Sequence, residues 1–150
     1  MTVDSVGVFL GAIQSGMVVS GNGFITVTRV VNSGDALSSF RVSGPNDFIG
    51  IRLQPGRGTP LTGAYYTQVS ETVVVDLYHH DTTSATSGVA QSGASVAAVQ
   101  RLTNDFKLTV SGATWAGNGI PPPKLVFESH PLAMAQFGHA TLNYRVQYLL

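Results

Sequence analysis

The alternation over residues 140–150 constrains this chain more than any other stretch. Ala140, Leu142, Tyr144, Val146, Tyr148 and Leu150 fall on one side of an extended backbone. Thr141, Asn143, Arg145 and Gln147 fall on the other, with Leu149 as the apolar exception. A period of two with one apolar face is the pattern of a strand buried on one side. Chain ends fray unless something holds them, so this segment is expected to be paired in a sheet.

Shorter runs of the same character precede it. Residues 24–31 (FITVTRVV), 39–43 (SFRVS), 48–53, 64–69 and 71–80 (ETVVVDLYHH) have the β-branched and aromatic content of strands. Within the last run Val73, Val75 and Leu77 point one way, and Val74, Asp76 and Tyr78 the other. Turn signals separate the runs at residues 32–35 (NSGD) and 44–47 (GPND), and the Gly- and Pro-rich stretch 54–63 reads as a loop. Residues 107–111 and 125–128 read as further short strands. Residues 94–106 carry the one helical stripe, Val96, Val99, Leu102 and Phe106. Residues 81–95, rich in Ser, Thr, Gly and Ala, read as a loop, and residues 1–5 and 112–124 as extended arms. The expected fold is mainly β: a single domain over residues 1–150, a β-sandwich or barrel with one short helix at about 94–106 and long loops or arms.

Charge narrows the function classes. Only 11% of residues are Asp, Glu, Lys or Arg, with a formal net charge of +0, against roughly 25% charged in an average soluble domain. Phosphate backbones are held by clustered Lys and Arg, so nucleic acid is not an expected partner, and neither is an anionic membrane. Net charge keeps proteins apart in solution; a neutral surface of Ser, Thr, Asn, Gln and Gly suits a protein that neighbours will cover. With no cysteine, disulfides, Cys-ligated zinc and thiol catalysis are excluded. The start, Met1-Thr-Val-Asp, has no basic n-region, and the apolar run 6–13 is too short to span a bilayer. A protein folded in a cytoplasm, with no signal peptide or transmembrane segment, is expected.

The chemistry-bearing residues are few. His79, His80 and Asp81, near Glu71 and Asp76 in sequence, are of the right types to ligate a metal. On a strand, however, the two histidines point to opposite faces, so no metal or other cofactor is expected. A Ser–His–Asp set can be assembled on paper, but no Gly-x-Ser-x-Gly elbow occurs. Asp76 lies inside an apolar run and must be solvated or paired, an Arg being the expected partner. No catalytic residue is assigned and no enzyme activity is expected. Arg57, between Gly56 and Gly58, reads as an exposed contact residue, since Arg is favoured at interfaces. Trp115, Arg145 and the stiff run Pro121, Pro122 and Pro123 are further candidate interface contacts. Trp115 with nearby aromatics also supports an alternative, a carbohydrate- or ligand-binding β-sandwich module.

With its low charge, only two lysines (Lys107 and Lys124), abundant Gly, Ser, Thr, Val and Ala, and short strands joined by loops such as 82–95, the whole chain resembles small virion proteins of tailed bacteriophages. These are capsid decoration (cement) proteins and the ring proteins of neck and tail. The order strand, loop, strand and short helix over residues 48–106, followed by a final strand at 142–148, is similar to tail-terminator-like neck proteins. The chain departs from that group in lacking a convincing N-terminal helix pattern. The resemblance implies a non-enzymatic structural protein of the virion. It would be a homo-oligomer whose partners are its own copies and other virion proteins, stabilising the capsid or joining head and tail.

Overall fold

A computed structural model describes residues 4–20, 23–32, 47–54, 61–62, 67–80, 88–115, 120–134 and 137–149. The expected strand at 39–43, the contact residue Arg57 and Asp81 lie outside these residues. The fold is mainly β, a curled open sheet forming a half-barrel. Its strands are β1 (Gly16–Val19), β2 (Gly23–Arg29), β3 (Asp47–Leu53), β4 (Leu61–Thr62), β5 (Thr67–His80), β6 (Lys124–Glu128), β7 (Leu132–Met134) and β8 (Phe137–Leu149). Their order across the sheet is β1-β2-β3-β5-β8-β6, with β4 also paired to β5 and β7 to β8. Only β2 and β3 run parallel; the other neighbours are antiparallel.

The alternation at the chain's end is realised as β8, which pairs with β5 along its whole length, from Gln68↔Leu149 to His80↔Phe137. Ala140, Leu142, Tyr144, Val146 and Tyr148 are all buried, as are Val73, Val75 and Leu77 beside them. This face of the sheet is covered by α1 (Ser5–Ala12) and α2 (Gly88–Gly112). Val6, Phe9 and Ile13 from the first helical segment and Val99, Leu102, Phe106 and Val110 from the second complete one core with the strands. Phe9 is its hub. Its ring meets Trp115 at 5.0 Å, Tyr144 at 5.3 Å and Phe106 at 6.4 Å.

Several local expectations are corrected. The helix is not confined to 94–106: it runs 25 residues and absorbs the strand expected at 107–111 together with part of the loop expected at 81–95. Val110 extends the Val99–Leu102–Phe106 stripe by one further turn, and burying it outweighs the β propensity of Leu108-Thr109-Val110. The N-terminal apolar run is a helix, capped by the Asp4 carboxylate accepting from Gly7 N–H. Ser5 is completely buried, so residues 4 and 5 are not an arm. Likewise Trp115 and Ile120, in the arm expected over 112–124, are core residues. The runs 64–69 and 71–80 join into one strand from Thr67, and Leu61–Thr62 in the expected loop pairs with it.

Candidate functional site

Alternation along β5 and β8 divides the polar groups between the two faces of the sheet. On the helix-covered face, Glu71 is 7% exposed and accepts hydrogen bonds from Ser5 Oγ at 2.7 Å and Tyr148 Oη at 2.8 Å. It ties the first residue of α1 to the distal end of β8. At the opposite end of this face, Asp47 faces its register partner His79, Oδ1 to Nδ1 at 2.7 Å. These are tethers between elements far apart in sequence.

On the other face Asp76 is almost fully buried. Arg52 donates to it through Nε at 3.1 Å, and the His139 ring and Thr141 hydroxyl approach its other oxygen at 3.4 Å. His139 also stacks on Tyr78 at 4.4 Å with an interplanar angle of 8°. Gly50 stands opposite Asp76 in the register, and a Cβ there would lie 3.1 Å from the Phe48 ring and 3.2 Å from Val30. The missing side chain lets Val30, Phe48, Tyr78 and Phe137 close into a second apolar cluster on this face. Burial pushes the Asp76 pKa up, but the His139 hydrogen bond and the Arg52 charge and hydrogen bond outweigh it, holding the carboxyl below its ordinary value.

His139 Nε2 meets both Thr141 Oγ1 and Asp76. A nucleophile-activating triad instead needs the two imidazole nitrogens to serve two different partners. The cluster is built as a charge anchor. Its sign in pH is fixed: a depressed carboxyl pKa contributes stability that is present above the unfolded value of about 3.9 and is lost as pH falls through the folded value. Asp76→Asn is expected to lower stability at neutral pH by about 1–3 kcal/mol, because Arg52 loses a charged acceptor. It should also flatten the decline below about pH 4. Urea unfolding midpoints of both proteins between about pH 3 and 7 measure this; parallel curves would refute the role.

The residues singled out from the sequence are not brought together. His79 is held by Asp47 rather than by a metal cluster; the side chain of His80 lies outside the described residues. Among the described residues no group of three or more His, Cys, Asp or Glu converges. Trp115 is 4% exposed and donates its indole N–H to the Val110 carbonyl at 3.2 Å. It floors a cleft of about 340 Å³ whose walls include Lys107, Pro122, Pro123 and Leu125. Pro121, Pro122 and Arg145 are exposed, whereas Pro123 is half-buried.

What sequence reasoning missed is the sheet's two ends. Every residue of β6 is exposed, including Leu125, Val126 and Phe127 at 39–51%. Leu132 on the adjoining β7 is exposed as well. At the other end Val18 on β1 and its register partner Phe24 on β2 are 69% and 65% exposed. The contiguous Leu-Val-Phe of β6 was a readable signal, because no polar residue interrupts it. Among the described residues no helix is long and apolar enough to cross a membrane. No protein-family model matches the chain, and no curated protein matches it.

Proposed function

We propose that this chain is a non-enzymatic structural protein of a tailed-bacteriophage virion, acting through contacts with its own copies and with other virion proteins to stabilise the capsid or join head to tail. The observation that carries the reading is the uncovered apolar strand β6 at the sheet's edge. Natural proteins protect sheet edges with charge, proline or a covering element, because a bare edge templates strand pairing. Here Lys124 and Glu128 bracket three apolar residues, and Glu128 is engaged with Lys107 at 3.0 Å. Such a strand belongs in an assembly. The low charge, 11% of residues with a formal net charge of +0, supports the same reading.

Mass spectrometry of particles purified from the encoding phage, together with light scattering of the isolated chain, tests this. Expected are many copies per particle and an assembled species in solution. A chain absent from the particles and monomeric at all concentrations would sink the reading.

A further inference from the structure

Resting on the homo-oligomeric part of that reading, we infer that the two end strands of the described sheet form one joint: β6 of one copy pairs with β1 of the next, head to tail. The partner is a second copy of this chain. Direction, facing and backbone polarity each point to it.

Direction follows from the ladder. Between β1 and β6 the sheet makes one parallel step, β2 to β3, and every other step is antiparallel. An even number of reversals leaves β1 and β6 running the same way. A neighbour placed by rotation about an axis along the strands therefore brings β6 alongside β1 in parallel, continuing the sheet. Because the sheet is already curled, each added copy carries the curvature on, and a rotation that closes gives a ring.

Facing follows from register. Met17 and Val19 enter the core, so Val18 points to the face opposite the one that α1 and α2 cover, as does Phe24 across from it. At the other edge Leu125 pairs with the core residue Tyr144, whereas Phe127 pairs with Asn143 on the side away from α1 and α2. The register shift between Leu125 and Phe127 places these neighbours on their two faces. Val18, Phe24 and Phe127 are thus exposed apolar side chains on the same face at opposite ends of one sheet. When β6 meets β1 of the next copy they become cross-strand neighbours, and each removes the other from water.

Backbone polarity agrees. Val27 N–H donates to Ser15 O, and alternation along an antiparallel ladder then turns the Val18 amide and carbonyl away from β2. Ser129 N–H donates to Thr141 O, which by the same alternation turns the Glu128 backbone groups away from β8. The Phe24 ring lies across Gly16, where a Cβ would come within 2.6 Å of the Ile25 carbonyl oxygen. The glycine keeps the β1 backbone close under that ring at the rim.

The test uses the chain's lack of cysteine. Val18→Cys and Phe127→Cys proteins, each checked by circular dichroism for a native fold, are mixed and oxidised. A disulfide between position 18 of one copy and position 127 of another is expected, with the double variant giving a ladder of linked copies on a denaturing gel. A 127–127 disulfide as the main product would overturn the inference in favour of two-fold pairing of β6 with itself. In a second arm, Val18→Lys and Phe127→Lys proteins are each expected to be monomeric by light scattering, while their mixture forms a dimer. One intact β6 and one intact β1 remain in that mixture. No recovery on mixing overturns the joint. An assembled wild-type chain without the 18–127 link refutes the joint alone; a wild-type chain that never assembles and is absent from particles refutes the virion reading.

Discussion

A chain ending at Asn143 should not fold. β8 lies inside the sheet, between β5 on one side and β6 and β7 on the other, so removing residues 144–150 strips partners from both neighbours. Tyr144, Val146 and Tyr148 are 0–4% exposed, and burying three such side chains contributes roughly 5–9 kcal/mol at about 1.5–3 kcal/mol each. The ladder opposite residues 68–73 is lost with them, and Glu71 loses the Tyr148 hydroxyl while remaining under α1. Those losses are of the same order as the roughly 5–15 kcal/mol by which a folded domain outweighs its unfolded chain. The truncated protein is expected to lose its near-ultraviolet circular dichroism and to show no cooperative thermal transition. A sharp transition in the truncated chain would mean that β8 is an exchangeable arm.

The largest effect of any single substitution is expected at Phe9. Its ring is fully buried between the two helices and the sheet, in contact with Phe106, Trp115 and Tyr144. Phe9→Ala removes the transfer free energy of the ring and leaves a void that three other aromatic rings cannot fill without leaving their own contacts. About 3–5 kcal/mol of destabilisation follows, a fall in Tm of roughly 10–20 °C for a chain of this size. Leu108→Ala is the control: it lies on α2, two residues beyond Phe106, but is 70% exposed, and it should change stability by no more than about 0.5 kcal/mol. Differential scanning calorimetry of the two variants decides it. Equal effects would show that the aromatic hub does not organise the core.

β8 and the interior of β5 were readable because each has one wet and one dry face, or a continuous β-branched run, and those patterns are local. The helical stripe at Val99, Leu102 and Phe106 was readable for the same reason. Its last turn was not, because Leu108-Thr109-Val110 alternates as a strand would and only the neighbouring core makes Val110 a helix residue. The first helix was hidden by apolar residues on every side, so no stripe stood out over its eight residues. Side-chain partnerships were the least readable. That Asp76 needed a cation followed from burying a carboxylate in an apolar run; that Arg52 and His139 supply it depends on a register no local pattern encodes. Ser5, Glu71 and Tyr148 are drawn from three distant segments and were invisible together. Trp115 was read as a possible contact because it is flanked by glycines and lies near the triple proline; the Phe9 ring against it accounts for its burial.

The β5–β8 pairing has a consequence for synthesis. β5 leaves the ribosome well before β8, with α2, β6 and β7 between them in chain order. Until β8 emerges, the longest ladder in the sheet has only half its partners, and the core under α1 and α2 lacks Ala140, Leu142, Tyr144, Val146 and Tyr148. Pairings between segments so distant in sequence form slowly, and β6 is complete while β8 is still unformed. The nascent chain therefore carries the exposed apolar strand β6 before it has a finished sheet to attach it to. If copies join through β6 as proposed, folding of each copy and joining to the next compete for that same strand, and slow, dilute synthesis should yield more correctly assembled protein than rapid overproduction.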